Sequence, residues 1–331
     1  MTIHFWDSVK EGFTLVNRNW QLVLIRVAAS LISFIGFFII VGIPFAIAVV
    51  AVGVNLLAAR PDAFLEGLKD VLTRGYFGIA LLLVTGLLVY VIFAASLWLY
   101  VLAGSFGLLA ANLKEPQRTF SMKEFFSQGK RLFWPFTRFY SIIGLFMFLV
   151  FVVLGLSVGG AVFLISVLKE WAPLLSIFVG AVLGAIIFIT GVFVVVGIFA
   201  LSVFGAGLMV LYGPRGLKPA ATPPLAWESV KGGWNFLKAN PRGFWGMSLL
   251  LFCYLFISLF LLILAYPFGL IPVIGTLIVL PYQIIVSAVQ RYLGLVLAGT
   301  AFSYYFRVSS GDIRAKAPAQ AGPPPGETPP G

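Results

Sequence analysis

The sequence predicts an all-α polytopic membrane bundle, and three observations carry that reading. Of 331 residues, 61% are hydrophobic and only 10% are charged, against about 45–50% and about 25% in ordinary globular chains. The apolar residues gather in six runs, roughly 21–59, 76–112, 140–168, 174–212, 244–266 and 277–306. Each exceeds the ~20 residues that a helix needs to cross the hydrocarbon layer. The runs are uniformly apolar, whereas a membrane barrel shows alternating segments of about ten residues. With a mean hydropathy of +1.06, no soluble core could hide so much apolar surface. A soluble enzyme, a nucleic-acid-binding domain and a disulfide scaffold are therefore excluded. Six spans is the reading and eight the alternative, because several runs approach forty residues. The first run carries Gly42-Ile43-Pro44, where proline removes a backbone donor and is expected to break the helix.

The segments between the runs repeat. Trp6-Asp7-Ser8-Val9-Lys10-Glu11-Gly12-Phe13 returns as Trp227-Glu228-Ser229-Val230-Lys231-Gly232-Gly233-Trp234, and Asn19 returns in the same register as Asn240. Trp6, Val9, Phe13 and Val16, like Trp227, Val230, Trp234 and Leu237, follow a 3-4-3 spacing, which is one face of a helix. Asp7, Lys10 and Glu11, and Glu228, Lys231 and Lys238, lie largely on the other faces. Phe126, Phe133, Phe136 and Tyr140, interleaved with Lys130, Arg131 and Arg138, form a weaker third copy. The predicted architecture is three units, about 3–112, 119–212 and 225–307, each an amphipathic helix followed by a helical hairpin. Aromatics on one side of a helix and cations on another suit the membrane interface; packing over the ends of the bundle is the other reading, and both can hold together. The chain divides into a membrane domain, 1–310, and a Pro/Gly-rich tail, 311–331, whose composition predicts disorder.

Charge gives the orientation. The net charge is +11. With both termini in the cytosol, only Arg60, Lys69, Arg74 and Lys169 fall on the opposite side, and Arg26 and Arg291 lie inside apolar runs. The remaining cations all face the cytosol, as the positive-inside rule requires. Lys123, Lys130, Arg131, Arg138, Lys231, Lys238 and Arg242 then attract anionic lipid headgroups, at about 1 kcal/mol each near the surface. Membrane lipids are the expected partners, a homo-oligomer or a protein partner is open, and nucleic acid is not expected. No cleavable signal peptide is read at the start of the chain, because the apolar run that follows the first amphipathic segment is too long for one.

Chemistry-bearing groups are scarce. His4 is the one histidine, Cys253 the one cysteine, and all 11 acids fall outside the apolar runs. No metal-ligand spacing, acid/base carboxylate pair, nucleophilic triad or phosphate-binding glycine loop is found. No catalytic residue, metal or cofactor is expected, and no intramembrane carboxylate is available to couple protons to transport. Arg26, about six residues into its run, is expected to snorkel to the cytosolic interface. Arg291 sits mid-run on a stripe with Gln283, Ser287 and Gln290 that continues through Gly294 and Ala298. Such a stripe faces the bundle interior or a wet cavity, and Arg291 there either ties helices through carbonyls or holds an anionic ligand. Gly155-x-x-x-Gly159 and Gly180-x-x-x-Gly184 predict close helix approach, within a hairpin or at a dimer face.

Trp227-Glu228-Ser229-Val230-Lys231, leading to Phe236-Leu237-Lys238-Ala239-Asn240 and Phe244-Trp245, resembles the membrane domain fused to some glycerophosphodiester phosphodiesterases. It is also similar to related stand-alone prokaryotic membrane families. The turn Leu270-Ile271-Pro272-Val273-Ile274-Gly275 adds to the likeness, which covers roughly 225–307. The resemblance implies a prokaryotic cytoplasmic membrane. The phosphodiesterase activity belongs to a separate soluble barrel that this chain lacks, so no catalytic residue is carried over. The function expected is non-enzymatic, structural or lipid-organising. The alternatives are a passive or partner-driven transporter of an anionic or amphipathic solute, and a membrane subunit of a complex with a soluble partner.

Overall fold

The computed structural model describes residues 5–52, 77–115, 120–211, 226–269 and 274–316. Its helices are α1 (Phe5–Arg18), α2 (Gln21–Phe37), α3 (Ile43–Val52), α4 (Phe77–Lys114), α5 (Met122–Trp171), α6 (Pro173–Leu211), α7 (Ala226–Ala239), α8 (Pro241–Gly269) and α9 (Ile274–Lys316). There is no strand among the described residues. Six helical segments are long and apolar enough to cross a membrane: Gln21–Ile47, Ala80–Lys114, Met122–Trp171, Pro173–Leu211, Pro241–Leu264 and Pro281–Ser309. The chain is an all-α bundle with the makings of a multi-pass membrane protein.

Three helices form the centre. The ends of α4, α6 and α9 touch one another, and α2 packs on α4 and α9, α5 on α4 and α6, and α8 on α6 and α9. Each outer helix therefore fills one groove of the central three. The buried residues cluster at 101–113, 200–211 and 295–305 of the central helices, where Phe106 meets Phe302 edge-on at 5.1 Å and Phe236 meets Tyr305 at 4.6 Å. Toward the far ends of α5 and α6 the side chains are largely exposed, among them Phe163, Leu174 and Ile177. In water such a surface would be prohibitive; against acyl chains it costs nothing.

The amphipathic segments wrap this packed end in a regular way. α1 lies on α9, the first turns of α5 lie on α4, and α7 lies on α6. A glycine sits at each crossing. A Cβ on Gly12 would stand 2.8 Å from the Thr300 nitrogen, one on Gly233 3.1 Å from the Gly205 nitrogen, and one on Gly129 3.0 Å from the Tyr100 ring. Only glycine permits that approach. The helix breaks after α1 and α7 also correspond. Asn19 Nδ2 donates to the Leu15 carbonyl and Asn240 Nδ2 to the Phe236 carbonyl, and each asparagine carbonyl accepts the amide three residues on, from Leu22 or Gly243.

Several expectations need correction. The third amphipathic copy is not a separate helix, because α5 runs unbroken through it for 50 residues, about 75 Å at 1.5 Å per residue. Gly42-Ile43-Pro44 does not break the first run. A π turn at Phe38–Gly42 absorbs the proline and the chain continues as α3, with Gly86 close enough to the Ile40 carbonyl that a Cβ there would stand 3.0 Å away. On α1, Trp6 and Phe13 turn outward, and the buried face is Ser8, Val9, Gly12, Leu15 and Val16. A Cβ on Gly155, Gly159 or Gly184 would meet nothing. Of that glycine spacing only Gly180 meets the partner helix, where a Cβ would stand 3.1 Å from the Ile165 Cδ1 of α5, and Leu154 on Gly191, at 3.3 Å, is the hairpin's second close contact. The tail expected from 311 begins later, since α9 is helical to Lys316. The rest of the tail, the loops holding Arg60, Lys69, Arg74, Arg118, Arg215 and Lys218, and residues 270–273 of the Leu270–Gly275 turn lie outside the described residues.

Candidate functional site

The groove between α4 and α9, which α2 enters, holds a cavity of about 430 Å³. Its size falls in the range of about 300–1,000 Å³ typical of ligand pockets. Arg26, Ala29, Ser30, Ser33 and Phe34 line it from α2, Tyr90, Ala94, Leu97, Trp98, Val101 and Leu102 from α4, and Arg291 from α9. Two arginines thus border one largely apolar-walled space, and no carboxylate lines it among the described residues.

Serine hydroxyls hold both cations beside that space. Ser105 Oγ spends its hydrogen on its own helix, donating to the Val101 carbonyl at 2.7 Å, and accepts from Arg26 Nε at 3.3 Å. Ser30 does the same one helix away, donating to the Arg26 carbonyl at 3.0 Å and accepting from a terminal nitrogen of Arg291 at 3.0 Å. The Arg26 guanidinium also lies over the Phe106 ring at 5.7 Å, a cation–π contact strengthened by exclusion of water. These contacts leave donors over. The Nη2 of Arg26 is fully buried and has no hydrogen-bond partner. A guanidinium carries five N–H donors and no acceptor, and these contacts do not use all of them. Ser33 and Tyr90 add a pair of hydroxyls 3.3 Å apart.

The residue positions explain why this groove alone is polar. Counted from Asn19 and Asn240, Arg26 corresponds to Met247 and Ser30 to Leu251. Counted from Gly12 and Gly129, Arg26 corresponds to Ile143. Met247, Leu251 and Ile143 are all buried, plugging the other two grooves with hydrocarbon where α2 brings an arginine and a hydroxyl.

Of the stripe read from α9, the structure brings only Arg291 to the cavity. Gln283 is exposed, and Ser287 and Gln290 are half-buried away from its lining. Arg26 is the correction that matters most. It does not snorkel to the interface, because Ser105 and Phe106 draw it across to α4. Ser30, Ser33, Tyr90 and Trp98 were not singled out from the sequence. Arg26, Ser30 and Ser33 do lie at i, i+4 and i+7, the spacing of one helical face, so half the site was readable there.

A second candidate surface lies outside the packed end. Trp6, Phe13, Trp227 and Trp234 are exposed, as are Lys10 and Lys231. Lys231 Nζ lies 5.7 Å from the Trp227 ring and Lys238 Nζ 5.1 Å from the Trp234 ring. Among the described residues no three His, Cys, Asp or Glu side chains gather as a metal site would need. No family model, no curated protein and no solved structure matches this chain.

Proposed function

We propose that the chain is a non-enzymatic protein of a prokaryotic cytoplasmic membrane, built of three repeated units with both termini in the cytosol, that holds and organises anionic lipid. The cavity of α2, α4 and α9 is its binding site. One observation carries this reading: among the described residues Arg26 and Arg291 line the same cavity with no carboxylate beside them. A charged arginine near the centre of a membrane helix, as Arg291 is, costs about 2.5–3.5 kcal/mol on insertion scales, and Arg26 beside it adds a second cation, so the pair calls for an anion. The exposed tryptophans and lysines of α1 and α7 support a collar in the headgroup layer, and the resemblance of 225–307 to a membrane domain without its enzyme supports a role other than catalysis.

A carrier for the same anion is the second reading. The π turn at Phe38–Gly42 favours it, since it lies one turn beyond the cavity residue Phe34 and such turns often mark moving, functional parts of helices. Native mass spectrometry of the detergent-purified chain tests the binding site. Wild type is expected to carry an anionic lipid that Arg26→Leu/Arg291→Leu loses. A wild type free of anionic lipid, or a variant with an unchanged lipid complement, would overturn the proposal.

A further inference from the structure

We infer that the cavity selects a phosphomonoester head carried by a membrane lipid, one per chain; this rests on the reading of the cavity as an anion site and names the anion. The first ground is charge. Arginine stays protonated in proteins, so Arg26 and Arg291 bring two permanent positive charges into a space that no acid among the described residues lines. A carboxylate or a phosphodiester carries one negative charge and would leave one cation uncompensated, which in a low-dielectric interior costs several kcal/mol. A phosphomonoester carries about −1.5 to −2 at pH 7, and two adjacent guanidiniums draw it to the full dianion. Among lipid heads with a single phosphate it alone matches the count.

The second ground is shape. Arg26 and Arg291 reach the cavity from different helices, α2 and α9, and a guanidinium fork binds best to two oxygens at once. A phosphodiester has two unesterified oxygens to divide between two forks. A phosphomonoester has three, so each fork finds a pair by sharing one.

The third ground separates a lipid from free phosphate. Much of the lining is hydrocarbon, from Ala29, Phe34, Ala94 and Leu97, and about 430 Å³ far exceeds one phosphate group. Acyl chain fills what the head leaves. The stoichiometry follows from Met247 and Leu251, which close the corresponding position in the α6–α9 groove.

The test is a competition on the full-length chain in detergent, with equimolar phosphatidate and phosphatidylglycerol of identical acyl chains, read by native mass spectrometry. One phosphatidate per chain is expected, favoured at least tenfold over phosphatidylglycerol. Arg26→Gln, with one cation left, should bring the two lipids toward parity. Parity or a phosphatidylglycerol preference in wild type overturns the phosphomonoester assignment. If Arg26→Leu/Arg291→Leu still strips the bound lipid in that case, the anion site stands without it; if that variant keeps its lipid, both readings fall. Glycerol 3-phosphate and inorganic phosphate, added separately, should leave the thermal midpoint unmoved. A rise equal to that from phosphatidate would overturn the lipid source. The wild-type competition needs no variant, so it decides the assignment even if Arg26→Gln does not fold.

Discussion

Arg26 and Met247 occupy corresponding places on α2 and α8, and the difference between them is the difference between a binding site and a plug. Met247 is buried in hydrocarbon; Arg26 keeps a cation in the same kind of groove and must find acceptors for it. The pair Arg26→Met/Ser30→Leu copies the residues found at 247 and 251. Replacing a buried charge by well-packed apolar groups is often neutral or stabilising by about 1–4 kcal/mol. The double variant is therefore expected to keep or raise its thermal midpoint in detergent while losing bound anionic lipid. A fall in the midpoint would mean that Arg26 holds the helices together through Ser105 and Phe106 rather than serving a ligand. The site was partly legible from the sequence at this scale. Arg291 was recognisable from its central place in an apolar run. Arg26 was misjudged because its distance from the helix start says how far it is from water, but not that Ser105 lies across the groove. Tyr90 and Trp98 carry no sequence signal at all, since aromatics are scattered through every span.

At the scale of elements, the amphipathic helices carry two faces with separate duties. Gly12 and Gly233 let α1 and α7 sit almost backbone to backbone on the central helices, and Gly129 makes room for the Tyr100 ring, while Trp6, Phe13, Trp227 and Trp234 look outward. Gly12→Ala should destabilise by about 1–3 kcal/mol, the cost of overpacking, because the Thr300 nitrogen and the Val296 carbonyl, 2.8 and 3.0 Å from the new methyl, are backbone and cannot step aside. Gly159→Ala, facing open space on α5, should change stability by less than about 0.5 kcal/mol. Equal effects would show that the α1–α9 crossing is looser than described. The outward face has its own test. In nanodiscs containing brominated lipid, Trp227 and Trp234 fluorescence should be quenched, with interface-level bromines more effective than those at the chain ends. Absence of quenching would place α7 in water. The 3-4-3 apolar spacing disclosed these helices but misassigned their inward face. Periodicity weighs side chains by hydropathy, whereas close packing here is set by small ones, Ser8 and Gly12, that a hydropathy pattern passes over. The glycine spacing on α5 and α6 held only at Gly180, which Ile165 approaches, while Gly155, Gly159 and Gly184 face open space, because a small residue permits approach without compelling it.

At the scale of the molecule, three central helices hold three helices in their grooves and carry three amphipathic segments around one end. Its span count was legible in the lengths of the apolar runs. Its closure was not, since that depends on α1 reaching α9 from the other end of the sequence, where Glu11 accepts from Arg307 Nε at 3.0 Å and Asn17 from the Tyr292 hydroxyl at 2.7 Å. Contacts between distant segments leave no periodic trace in either. The variation is where function enters: the α6–α9 groove is stopped with Met247 and Leu251, the α4–α6 groove with Ile143, and the third holds two arginines around a cavity. The central claim is that this cavity holds the head of an anionic lipid, and a density map of the wild-type chain in anionic nanodiscs tests it most directly. The account predicts a compact density contacting the guanidiniums of both Arg26 and Arg291, continuing into tail density past Phe34. A map in which the two arginines are satisfied by water, backbone carbonyls or a protein carboxylate would contradict it.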